Sequence, residues 1–196
     1  MTTKAERTKQ FILDTAAPIY NEKGISGVSV DDVLAATKLT KGCLYSHFEN
    51  KDDLTEQVVD ILLQKITEKI KQEVAKGKTV KSKLFHFLDF YKDPIQTFIP
   101  GGCPIFNTAV DADDNYPHIK EKVAAVFRAG QEDLANLFRQ GIENGEFTQA
   151  LDPTVMAFKI VACVEGGLVM CRAMNSAKPM SLLIKSLKAE LEQYCV

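Results

Sequence analysis

Between Ser29 and Leu54 three helix starts follow one another so closely that only short helices joined by tight turns fit. Ser29 is a good N-cap, and Asp32, three residues on, can return the hydrogen bond as a capping box. Val28 and Val33 flank that pair at the spacing of a hydrophobic staple. The helix that begins near Val30 is expected to bury Val33, Leu34 and Ala36. Thr40 caps a second helix, which hides Leu44 and Phe48 at i, i+4 and turns Lys41, Gly42, Tyr45, Ser46 and His47 outward. Asn50 caps a third, with Asp53 at the box position and Leu54 first in its apolar stripe.

A short helix with a polar outer face, braced by a tight turn behind another helix, is what a protein needs to enter the major groove of DNA. The residues Thr40-Lys41-Gly42-Cys43-Leu44-Tyr45-Ser46-His47-Phe48, followed by Lys51 and Leu54, resemble the signature of the TetR family of bacterial transcriptional repressors. A basic amphipathic first helix ending in Glu22-Lys23-Gly24, and Val28-Ser29-Val30 opening the second, agree with it. Gly102 to Ala109 resembles a segment of the ligand domains in some branches. The resemblance implies an all-α chain: a three-helix helix-turn-helix domain over residues 1–50 and a larger helical effector-binding and dimerisation domain over 51–196. It also implies a DNA surface made of Ser29, Thr40, Lys41, Gly42, Cys43, Tyr45, Ser46, His47 and Lys51. Lys41 and Tyr45 would lie at or near bases; Tyr45, Ser46, His47, Lys51 and the Ser29 region would hold the backbone.

Two positions depart from the family pattern. The turn carries Thr37-Lys38 where Ala-Gly is usual, so Lys38 is expected at positive φ, at a cost of roughly 1 kcal/mol relative to glycine. Pro18 falls inside the first helix, where it removes the hydrogen bond to the carbonyl of Asp14 and predicts a kink.

Charge and cysteine usage limit the function classes. The net charge is −2, which argues against a protein that coats nucleic acid without regard to sequence. Local charge points the other way: Lys38, Lys41 and Lys51 face only Glu49, and Lys4, Arg7 and Lys9 lead the chain. Binding carried by a modest number of phosphate contacts is salt-dependent. Cys43, Cys103, Cys163, Cys171 and Cys195 form no CxxC pair and no zinc-type spacing, so they read as free thiols. Cys163 and Cys171 share a helix face but lie about 12 Å apart, too far to bridge. With no signal peptide, no apolar run long enough to span a membrane and no lipidation motif, a cytoplasmic protein is expected.

The remainder reads as helix throughout. From Leu54, Val58, Ile61, Leu62, Ile66 and Ile70 keep a helical period up to a solvated turn at Gly77, giving a long helix able to couple the two domains. Leu84, Phe87, Leu88 and Tyr91 form the inner face of the next helix, which Asp93-Pro94 stops. Pro94 to Pro104 is irregular yet apolar, as a pocket wall or a packed connector would be. Ile105, Phe106, Ala109 and Val110 suggest a short helix ended by Asp113-Asp114-Asn115. Pro117 opens a long one, with Ile119, Val123, Val126, Phe127, Leu134, Leu137, Phe138 and Ile142 inward. By resemblance these middle helices enclose an effector cavity, for which Phe98, Cys103, Phe106, Phe127 and Met170 are the lining residues expected. Few charges point inward, which favours an apolar or amphipathic ligand.

Asp152-Pro153 starts a helix of small and apolar residues, and a last helix begins near Pro179. Both carry more apolar surface than one neighbour covers. The family pairs them with a second subunit as a four-helix bundle, with Ile160, Val164, Gly167, Leu168, Leu183, Leu187 and Leu191 expected at the interface. An enzyme is not expected: His47, His86 and His118 have no nucleophile motif or phosphate loop beside them, and Asp111, Asp113 and Asp114 read as a solvated helix end, not a metal site. No cofactor or metal is called for. The partners expected are a palindromic DNA operator, a small effector and a second copy of the chain, with no membrane. Effector control through the Cys103 thiol, or control by a protein partner, are the alternatives.

Overall fold

The computed structural model describes residues 3–196, and every regular element among them is a helix. They are α1 (Lys4–Lys23), α2 (Val30–Thr37), α3 (Lys41–Tyr45), α4 (Lys51–Val74), α5 (Val80–Phe90), α6 (Pro104–Ala112), α7 (Pro117–Glu143), α8 (Pro153–Ala173) and α9 (Lys178–Gln193). The chain packs as two compact units. One holds the residues up to Ile66 together with Ile99–Ala124; the other holds Thr67–Phe98 and Ala125–Val196. This grouping differs from a linear division after residue 50, because the first turns of α4 and all of α6 pack with the N-terminal helices.

In the first unit, Ile12, Ala16, Val33, Leu44, Phe48, Leu54, Val58 and Leu62 share one core. Thr3 and Glu6 close a capping box on α1, which continues through Pro18 to Lys23. Ser29 and Asp32 close the box expected on α2. Asn50 Oδ1 accepts from the Asp53 N–H at 2.9 Å, but Asp53 reaches back to the N–H of Glu49, one residue earlier than a standard box. One inner face differs from expectation. Ala36 is exposed, and Thr37 is buried in its place with its hydroxyl turned back to the Val33 carbonyl at 2.8 Å. On α6 the buried face is Ile105, Thr108 and Ala112, while Val110 is exposed.

In the second unit, Thr79 and Ser82 cap α5, and the Glu146 carboxylate accepts from the N–H groups of Val80 and Lys81 at 3.0 Å each. Asp152 caps α8, and α9 packs along it. Gly167 permits their close approach, since a Cβ there would stand 2.6 Å from Leu183 Cδ2. Ile160, Val164, Leu168 and Cys171 of α8, and Met180, Ile184, Leu187 and Leu191 of α9, are all buried within the subunit. Of the residues expected at a subunit interface, Ile160, Val164, Leu168, Leu187 and Leu191 are buried within the single chain, and Gly167 and Leu183 sit where the two helices meet. The outward stripe of α8 is instead Val155, Phe158, Ala162, Val169 and Met170, with Leu182 exposed on α9.

By length and composition alone, α8 passes for a membrane-spanning segment, with a mean hydropathy of 1.7, contrary to the expectation that no run is long enough. Its core-facing side is covered by protein. Lys159 on the helix pairs with Glu190 at 2.6 Å, and Glu165 lies buried midway along it.

Candidate nucleic-acid interface

Capping sets the geometry of the helix-turn-helix. Ser29 Oγ accepts from the Asp32 N–H at 3.1 Å and donates to Asp32 Oδ2 at 2.7 Å. Lys23 anchors the same carboxylate from α1 at 2.5 Å. The lysine first, and the serine second, hold the Asp32 carboxyl well below the usual carboxylate range. α2 ends at Lys38, whose N–H donates to the Leu34 carbonyl at 2.9 Å. Its φ of 60° and ψ of 23° put it in the left-handed region, as the missing glycine predicts. Thr40 Oγ1 then accepts from the Cys43 N–H at 3.2 Å and starts α3.

α3 is five residues long, and only Leu44 anchors it in the core. All nine residues expected at DNA lie at the surface: Ser29, Thr40, Lys41, Gly42, Tyr45 and Ser46 are exposed, and Cys43, His47 and Lys51 are half-buried. Their hydrogen-bonding states divide them. The Ser29 hydroxyl proton is committed to Asp32, and that of Ser46 to the Cys43 carbonyl at 2.7 Å. The side chains of Lys41, Tyr45, His47 and Lys51 make no hydrogen bond or ion pair among the described residues. These four therefore present uncommitted donors around one short helix, the property that phosphate and base-edge recognition requires. A Cβ at Gly42 would meet nothing within 4 Å. Packing within the chain thus does not demand a glycine there.

A polar network that sequence reasoning missed braces the back of this motif. Asn21, near the end of α1, is 4 % exposed; its Nδ2 donates to the carbonyls of Pro100 at 2.7 Å and Gly102 at 3.2 Å. Asn107 on α6 donates to Asn21 Oδ1 at 3.1 Å and to the Gly101 carbonyl at 3.0 Å. Asp111, one turn further, accepts from the N–H groups of Ile25 and Ser26 in the turn between α1 and α2. The partners stand some 80 residues apart, so no local pattern signals them. A small cavity beside the network, with room for about one water, is lined by Tyr20, Val59, Leu62, Asn107, Thr108 and Asp111.

None of the five residues expected at an effector lines that cavity. Cys103 and Phe106 belong to the first unit; Phe98, Phe127 and Met170 belong to the second. Phe98 is 50 % exposed, with the Lys69 ammonium 5.5 Å from its ring centre. Met170, at 63 %, stands on the outward stripe of α8. Cys103 is buried at 3 % exposure, so a thiol reagent reaches it only after local opening. Among the described residues, no three His, Cys, Asp or Glu side chains come together as a metal site.

A capped helix-turn-helix whose short second helix carries free donors, joined to a helical body, defines a DNA-binding transcriptional regulator. Comparison with known proteins specifies which kind. Residues 12–58 match the bacterial regulatory proteins of the tetR family, and residues 80–187 match the tetracyclin repressor-like C-terminal domain. A TetR transcriptional regulator from Chloroflexus aurantiacus is 32 % identical, with a TM-score of 0.92 and 98 % of each chain covered. A TetR-family regulator from Cytophaga hutchinsonii is 30 % identical, with a TM-score of 0.89, covering 100 % of this chain and 98 % of that one. The HTH-type transcriptional repressor DhaR of Mycobacterium sp. (strain GP1) is 21 % identical over 172 residues, 88 % of this chain and 86 % of its own. The chain belongs to the TetR family.

Proposed function

We propose that this protein is a cytoplasmic, non-enzymatic repressor that binds a palindromic operator as a homodimer and is released by a small, largely apolar effector. The observation that carries the reading is the set of uncommitted donors, Lys41, Tyr45, His47 and Lys51, around a five-residue recognition helix. So short a helix reads only a few base pairs, and a two-fold pair doubles both base and phosphate contacts. The outward stripe of α8, with Phe158 and Val155 more than 60 % exposed, supplies a surface for the second copy. Repression is supported by the likeness to DhaR, a repressor by name. Effector release follows if the ligand favours a conformation whose recognition helices no longer match the groove spacing; DNA affinity then falls by the ratio of effector affinities for the two conformations.

The test is the double variant Tyr45→Ala, Lys51→Ala. Neither side chain makes a hydrogen bond or ion pair among the described residues, so fold and dimer are expected to persist while gel shift of the operator is abolished. Unchanged DNA affinity contradicts the assignment.

A further inference from the structure

We infer that Lys38 is a phosphate-binding residue, held outward by the left-handed turn between α2 and α3 to grip the DNA backbone beside the recognition helix. This rests on the DNA-binding reading of the motif and adds a contact outside the recognition helix. Among the described residues only Lys38 and Asn175 combine a side chain with positive φ. Asparagine tolerates that region through local hydrogen bonding, whereas lysine has no such compensation. The position is tightly defined on both sides. Thr37 is buried, Leu39 packs against the core, and Lys38 between them is exposed. Thr40 caps α3 directly afterwards.

The fold gains no polar contact from a lysine here. Its side chain makes no hydrogen bond or ion pair among the described residues, whereas Lys23 pairs with Asp32 at 2.5 Å and Lys65 with Asp14 at 2.7 Å in the same unit. Glycine would meet the turn's geometry without strain. A strained residue with a free cation, two positions ahead of the cap of a recognition helix, finds its compensation outside the chain. A polyanionic backbone alongside α3 supplies it.

The experiment compares wild type, Lys38→Gly, Lys38→Asn and Lys38→Arg by thermal unfolding and by fluorescence anisotropy on the duplex obtained by selection from random DNA. Lys38→Gly is expected to unfold about 2–4 °C higher yet to bind DNA about five-fold more weakly. Its plot of log affinity against log salt becomes shallower by about 0.9 for each subunit bound. The loss is uniform across base-substituted duplexes, as a backbone contact requires. Lys38→Asn, which also accepts the left-handed region, follows glycine; Lys38→Arg keeps wild-type affinity and slope. Wild-type affinity and slope in Lys38→Gly, or an arginine variant as weak as the glycine one, overturn the proposal. If wild type itself selects no duplex, the DNA-binding reading falls first and this inference with it.

Discussion

Asp32 does three jobs with one carboxylate: it receives the Ser29 backbone N–H at 2.8 Å, the Ser29 hydroxyl at 2.7 Å and the Lys23 ammonium at 2.5 Å. All three stabilise the charged form, so its pKa is lower in the folded protein than in the unfolded chain. A depressed carboxyl contributes stability that is complete above the ordinary aspartate range near pH 4 and is lost as the pH falls through the lowered value. Asp32→Asn is therefore expected to lower the thermal midpoint at neutral pH, with the difference from wild type closing in strong acid. A difference that stays constant into acid contradicts this linkage. The caps were legible in the sequence, because Ser29, Asp32 and Thr40 act on backbone groups three residues away, whereas the Lys23 pairing was not. Asn21, Asn107 and Asp111 were not, because their partners come from distant stretches of the chain and nothing in composition or spacing singles them out.

At the scale of the element, α8 shows what periodicity can and cannot tell. Its sequence announces two apolar faces but not which of them a neighbour in the same chain will cover. In the structure Ile160, Val164 and Leu168 are buried and Gly167 lies against Leu183 and Met180 of α9, while Val155, Phe158, Val169 and Met170 are left outside. A charge at Leu187, 4 % exposed, thus attacks the subunit's core and costs several kcal/mol of folding stability. Phe158→Glu is expected to leave a folded subunit and convert a dimer to a monomer in sedimentation velocity. A variant that sediments as a dimer moves the subunit contact off this face. On α6 the apolar residues marked the helix without marking its inner face: Thr108 is buried at 6 % and Val110 is 65 % exposed.

For the whole molecule, helix order and class followed from the sequence because each boundary carries its own cap or breaker: Thr79, Asp93-Pro94, Pro104, Pro117 and Asp152-Pro153. The packing units did not follow, since α4 and α7 each contribute residues to both. On the proposed reading, Lys41, Gly42, Tyr45, His47 and Lys51 make a sequence-specific DNA surface, used in two-fold pairs. Selection of binding sites from random duplex DNA by the purified protein, at near-physiological salt, tests it most directly. The account predicts an enriched palindrome whose half-sites lie about one helical turn or more apart. Folded protein that enriches no sequence, or only a single unpaired half-site, contradicts it.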